Sequence, residues 1–345
     1  MVNEPGTRPT VVPSDADLRA LPKVELHVHL GGTIEPGTVA ELAHRRGVDL
    51  RTVLPNGYPN RYQGFAAFLA SWFPVNGLVQ TAEDVELIAA AFARRQVEHR
   101  VRYTETLVTA GTLLKSGMEP RAMWGALRRG LESGLPDAEI RVVVDVIRDE
   151  GPDAAREVMR LVADADAPIV GLGLTGVEGA IDESEFTFLR SESGRLGMGL
   201  TIHAGEMGTP ENVRAALDVL GADRIGHGIA SVRDPELVAR LAREHIPLEV
   251  CPTSNVLVGL APSLEQHPII DLWRAGVNVT VHSDDPAMFR TTITDELANA
   301  VRLLDLDMQG LAELERCAAR AAFAPVGVRE RLVAEIDDWV ADRSS

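Results

Sequence analysis

The chain reads as an α/β protein, a TIM (β/α)8 barrel with a helical insertion after its first strand. Short runs rich in Val, Ile and Leu recur at 24–29, 101–108, 140–147, 169–174, 199–204, 224–229, 246–251 and 277–282. Each leads into a longer stretch of helical periodicity, the pattern of repeated βα units around a parallel sheet. Eight such units predict closure into a barrel. No composition shift, internal repeat or low-complexity tract marks a second domain, and 345 residues suit one α/β barrel core. The expected organisation is a loose N-terminal tail over 1–15 and a single domain over 16–345.

The helical stretches fall at 36–46, 82–99, 119–134, 152–164, 210–220, 234–244 and 295–305, several opened by a capping residue such as Thr81, Thr209 or Asp234. Thr209 followed by Pro210 is a strong start signal. The interval from 30 to 100 is too long for one βα connection and holds the aromatic segment YQGFAAFLASWF. Its apolar spacing predicts helices that form a lid over the barrel mouth. Beyond about 306 the chain reads as closing helices.

Composition narrows the partners. A formal charge of −17 with only two lysines, Lys23 and Lys115, disfavours phosphate backbones and anionic membranes. Two cysteines, Cys251 and Cys317, build neither a disulfide framework nor a paired thiolate zinc site, which points to a reducing cytoplasm. No run of about 18 apolar residues predicts a membrane span, and the N-terminus lacks a signal-type apolar core. The partner expected is a small molecule.

The chemistry is written at strand ends. His27 and His29 lie two apart on the first predicted strand, so both imidazoles share one face and can grip one ion. An isolated His-x-His pair is as often a pair of hydrogen-bonded core histidines. Here His203, His227 and the acids Asp284 and Asp285 also fall at the C-terminal ends of other predicted strands, which meet at one face in a barrel. Imidazole and carboxylate donors suit Zn²⁺, and three histidines with one aspartate leave a position open for water. The chain lacks the His-Glu-x-x-His helix of zinc peptidases and the Pro-Cys-x-x-Cys pair of cytidine-type deaminases. The fourth strand, IVGLGLTG, offers no lysine to bridge two metals, which favours a single ion.

Five segments, LPKVELHVHLGGT, GLGLTGVE, TIHAGE, RIGHGIA with LEVCPTSN, and VTVHSDDPAMF, together resemble the adenosine deaminase family in order and spacing over residues 20 to 335. The resemblance implies one zinc per subunit, held by His27, His29, His203 and Asp284, with an activated water. It implies that Glu206 is the general acid that protonates purine N1, and so stays protonated at working pH. His227, flanked by Gly226 and Gly228, would orient and deprotonate the water. Asp285 would hydrogen-bond purine N7, and the backbone N–H of Gly176 would address N3. His29 and Gly31 complete the expected substrate contacts. The implied reaction is hydrolytic deamination of adenosine or a related 6-aminopurine nucleoside to the 6-oxopurine and ammonia.

Two departures bear on the substrate. Adenosine-specific members generally carry an acid after His-x-His-Leu, where this chain has Gly31 and Gly32, and an aspartate where it has Gly173. These features resemble the family's adenine and aminodeoxyfutalosine deaminases, so those substrates stand as alternatives. A non-catalytic purine-binding barrel is the alternative of another class, opposed by Glu206 and His227. His282 receives no assignment. His44, His99, His245 and His267 are expected to be solvated or to cap helices.

Overall fold

Runs of apolar residues become parallel strands when helices cover one face and the barrel interior the other, and β1 (Lys23–His29) is accordingly buried at all seven positions. The computed structural model describes residues 12–343. The remaining strands are β2 (Val101–Val108), β3 (Glu139–Ile147), β4 (Ile169–Thr175), β5 (Gly199–Ala204), β6 (Arg224–His227), β7 (Leu248–Val250) and β8 (Val279–Val281). They pair in chain order in one eight-stranded sheet. All seven ladders are parallel. The expected (β/α)8 barrel is the observed fold.

The seam between β8 and β1 is closed largely outside a regular ladder. The His29 amide donates to the Asp284 carbonyl (2.7 Å) and the Asp284 amide to the His27 carbonyl (3.1 Å). Lower on β1, the Leu26 amide donates to His282 Nδ1 (3.2 Å) and the Val24 amide to Glu315 Oε2 (2.7 Å). Glu315 comes from helix Met308–Ala321. The unassigned His282 is therefore a seam residue, with Nε2 on Thr280 Oγ1 (2.8 Å).

Strands β6, β7 and β8 end sooner than expected. Gly228 adopts the left-handed conformation at φ 67° and starts the 3-10 turn Ile229–Arg233, and Cys251 leads directly into helix Pro252–Leu257. After β8 the chain bends at Asp284, whose φ is 63°. Apolar residues continue through the turns after β6 and β7 because those loops are buried, which is why composition alone extends these two strands.

The expected helices form within one to two residues of their predicted ends: Pro36–Arg46, Ala82–Glu98, Pro120–Glu132, Gly151–Val162, Pro210–Asp218, Pro235–Glu244 and Ile293–Leu304. Thr81 and Thr209 make capping boxes, and Asp234 accepts the Glu236 and Leu237 amides. Helices Phe188–Leu196 and Ile269–Arg274 were not expected. The first is rich in polar residues and the second spans under two turns, so neither writes a clear period. The aromatic segment forms helix Phe65–Asn76, and Met308–Ala321 and Val326–Arg343 close the chain.

Residues 1–11 of the expected tail lie outside the described residues. Its end is ordered, since Ser14 caps helix Asp15–Ala20 through a capping box with Asp17. Among the described residues no helix is long and apolar enough to cross a membrane.

Glu315→Ala leaves the buried Val24 amide without its acceptor, a loss of about 1–3 kcal/mol. A urea unfolding midpoint lowered by that free energy divided by the m-value is the expected result, and an unchanged midpoint would show that the seam does not depend on this bond.

Candidate active site

The C-terminal ends of β1, β5, β6 and β8 bring four histidines and two aspartates into one cluster. His27 and His29 rings stand 5.3 Å apart by centroid, and His27 lies 4.6 Å from His203 and 4.9 Å from His227. Such crowding needs a thin neighbour: a Cβ at Gly226 would sit 3.1 Å from His27 Cε1 and 3.2 Å from His203 Cα. Asp284 reaches the same point, with Oδ1 3.7 Å from His27 Nε2 and 3.4 Å from His29 Nε2. His29 Nε2 and His203 Nε2 are 3.2 Å apart.

These separations fit a metal. Zinc with bonds of about 2.0–2.1 Å in a tetrahedron holds its donor atoms about 3.3 Å from one another. His27 Nε2 is buried with no hydrogen-bond partner among the described residues, as a nitrogen kept for an ion would be. Its other nitrogen, Nδ1, pairs at 2.8 Å with Glu249 Oε2, which fixes the tautomer that presents Nε2. Cys251 Sγ also lies within 4.8 Å of His27 and Asp284 donor atoms, but burial pushes its thiol well above its ordinary value. The imidazole and carboxylate set is the better donor group.

Burial and neighbours sort the protonation states. Burial lowers His29 to about 4 and holds His203 well below the usual imidazole range, so both are neutral and able to ligate. Burial opposes charge on His27 too, but Glu249, Asp284 and Asp145 together raise it. Burial would raise Asp284, yet His227, His27 and His29 hold it below its ordinary value and therefore ionised. Glu206 and Asp285 go the other way, each pushed well above the usual carboxyl range by burial and then by Asp284.

Two of the six described non-glycine residues with positive φ lie here. His227 at φ 58° and Asp284 at φ 63° are non-glycine residues in the left-handed region, a conformation that costs energy unless the surroundings impose it. His227 Nε2 faces Glu206 Oε1 at 3.8 Å and Asp284 Oδ2 at 4.0 Å.

A cavity of about 250 Å³ opens above the cluster, lined by His29, His203, Glu206, His227, Asp284, Asp285 and Gly176 among others. Helix Phe65–Asn76 covers it with Phe65, Phe68, Leu69, Trp72 and Phe73, the lid expected from sequence. Trp72 Nε1 donates to Asp285 Oδ1 at 3.1 Å, so the lid also positions this acid. Gly32 makes room for it, since a Cβ there would lie 1.9 Å from the same oxygen. Gly31, expected at the substrate, instead faces the back of the lid. Its missing Cβ points at Asn76 and Trp72, its carbonyl accepts from Asn76 Nδ2 (3.3 Å), and it does not line this cavity.

Sequence reasoning passed over three supports. Glu249 on β7 binds His27, accepts from Thr201 Oγ1 (3.0 Å) and pairs with Arg224 Nε (2.5 Å). Arg224 in turn reaches Glu105 Oε2 at 2.7 Å, which ties the site to the barrel floor. Glu178 takes four amide donors, from Gly205, Glu206, Met207 and Gly208 at 2.5–3.1 Å, and so clamps the loop that carries Glu206. The GLTGVE segment already held that residue, but spacing alone could not show its reach. The third is His267. His44 and His245 are exposed and His99 and His245 end helices as expected, whereas His267 is buried and bonded to Asn255 Oδ1 (3.1 Å). Its capping role holds, because Nδ1 accepts the Ile269 amide (3.0 Å); its solvation does not.

An imidazole and carboxylate cluster on the C-terminal face of a (β/α)8 barrel marks an enzyme site built around a metal-competent centre. The family model described as adenosine deaminase matches residues 22–339, and the chain belongs to that family as an adenosine deaminase-like aminohydrolase. It is 38% identical to an aminodeoxyfutalosine deaminase of Streptomyces avermitilis, over 94% of this chain and 92% of that one. It is 34% identical to an adenine deaminase of Chelativorans sp., over 91% and 97%. The crystal structure of adenine deaminase from Arthrobacter aurescens superposes with a TM-score of 0.84 at 29% identity, covering 93% of this chain and 99% of that one.

Glu249→Gln replaces the anion on His27 Nδ1 by a neutral group. Zinc affinity measured by chelator competition should fall about 10–100-fold; unaltered affinity would show that His27 needs no such partner.

Proposed function

We propose that the enzyme hydrolyses the 6-amino group of an adenine-type ring, with adenosine or a near relative as substrate, to yield the 6-oxopurine and ammonia. The observation that carries this reading is the convergence of Glu206, His227, Asp284 and Asp285 on one lidded cavity. His27, His29, His203 and Asp284 would hold one zinc ion, which supplies Lewis-acid activation of water.

The residues of the chain supply the rest. Glu206, kept protonated by burial, gives its proton to ring N1 and makes C6 electrophilic as the water oxygen adds there. The C6–N bond then breaks; of the two protons that came with the water, one leaves with the amino group as ammonia and the other restores Glu206. Asp285, raised in the same way, donates to N7, an acceptor only. The Gly176 amide, in a loop held open at φ 98°, addresses N3. The aromatic lid excludes bulk water from the ring.

The cavity extends past the ring site to Thr109, Asp149, Glu150 and Thr175, which offer partners to sugar hydroxyls. No lysine or arginine lines it, and Lys115 is already paired with Glu150 (2.5 Å), so a nucleotide phosphate would meet carboxylates. The relatives named aminodeoxyfutalosine deaminase and adenine deaminase support those two compounds as the alternative substrates.

The test is the ultraviolet absorbance change with adenosine, adenine, aminodeoxyfutalosine and AMP. Turnover of adenosine, with AMP poorer by about a hundredfold (~2.7 kcal/mol), is expected. Selective turnover of adenine or aminodeoxyfutalosine would move the assignment to that alternative, and silence on all four would contradict it. Glu206→Gln should lower kcat by roughly 10²–10⁴. Because Glu206 works as the acid, kcat/KM should hold below its raised pKa and decline as pH rises through it. A profile without that alkaline limb would remove Glu206 from the role.

A further inference from the structure

Asn255 and His267 take no part in the reaction as drawn, yet they end on the ring nitrogen of His227 that faces away from the cavity. Asn255 Nδ2 stands 3.2 Å from His227 Nδ1, and Asn255 Oδ1 stands 3.1 Å from His267 Nε2. His267 Nδ1 lies 3.0 Å from the Ile269 amide nitrogen. All three side chains are buried.

The direction of this chain of bonds is set at its far end. A backbone N–H only donates, so His267 Nδ1 must accept and the neutral ring carries its proton on Nε2. That proton donates to the Asn255 carbonyl oxygen, which orients the amide with its NH₂ toward His227. The NH₂ only donates, so His227 Nδ1 must accept in turn. The remaining proton of neutral His227 then sits on Nε2, the atom that faces Glu206 and Asp284. The opposite tautomer would set an Nδ1–H against an N–H donor.

We propose that His267, acting through Asn255, is a positioning residue that locks His227 as an Nε2–H donor. His227 therefore meets the attacking oxygen as a hydrogen-bond donor, and the proton that this oxygen sheds goes not to His227 but to the ionised Asp284 carboxylate, whose Oδ2 lies 4.0 Å from His227 Nε2. This reverses the proton direction that the family resemblance implies for His227, and it rests on the deaminase reading for the identity of the oxygen. Asn255 is well placed for the task, being held in helix Pro252–Leu257 with its own carbonyl accepting the Leu260 and Ala261 amides at 2.8 and 2.9 Å.

The test reads the tautomer directly. Long-range ¹H–¹⁵N spectra of the imidazoles in zinc-loaded full-length protein, assigned with His227→Gln, should show both His227 and His267 protonated at Nε2 with an unprotonated Nδ1. A His227 proton on Nδ1 would overturn the proposal whatever the substrate proves to be. His267→Phe removes the donor and frees the amide to turn; kcat should fall roughly 10–100-fold, with KM and zinc content retained and the His227 spectrum altered. His267→Gln, whose amide can accept from Ile269 and donate to Asn255, should recover most of the rate. Equal losses in both variants with an unaltered His227 spectrum would reduce His267 to a packing role. If the phenylalanine variant fails to fold, the wild-type spectrum still decides.

Discussion

Two backbone hydrogen bonds at Asp284 close the barrel and bring the site's ionised carboxylate to its histidines. The Asp284 amide and carbonyl bond to β1 on either side of Val28, between the two residues whose imidazoles Asp284 must meet. To reach them the chain takes a left-handed turn that an aspartate pays for only where the contacts return more. Seam and metal-competent cluster thus share Asp284, whose backbone serves the first and whose side chain serves the second.

The same economy governs charge. An ionised carboxylate under the lid is costly unless it is matched, and the molecule divides its acids accordingly. Asp284 is matched by histidines, and Glu249 is anchored to Arg224, which holds it below the usual carboxylate range against burial. Glu206, which Arg148 only partly offsets, and Asp285 are pushed up by burial and by Asp284 and keep their protons. On the proposed reading, the two anions would present the ligands and the two neutral acids would face the edge of a purine. The states follow from placement, with no acid differing from another in intrinsic chemistry.

Much of this was legible in the sequence because a barrel projects its strand ends onto one face. His27, His29, His203, His227, Asp284 and Asp285 each follow an apolar run, so their convergence needed only the strand count. The lid was legible from an aromatic run in an interval too long for a connection. Glu249, Glu178, Asn255 and His267 were not, since each acts on a residue 12 to 222 positions away and nothing in its local pattern distinguishes it from a packed or solvated side chain. Gly31 was read from its neighbourhood to the metal strand, but the lid helix behind it decides where that backbone points. Short helices such as Ile269–Arg274 escaped because six residues hold too little periodicity to register.

The central claim is that catalysis depends on one metal ion held at the β8–β1 seam. Protein stripped of metal and titrated with zinc, its activity followed by absorbance on a 6-aminopurine that it turns over, tests this most directly. The account predicts no activity without metal and recovery that rises linearly to a plateau at one zinc per chain. Full activity of the stripped protein, or a plateau at two, would contradict it.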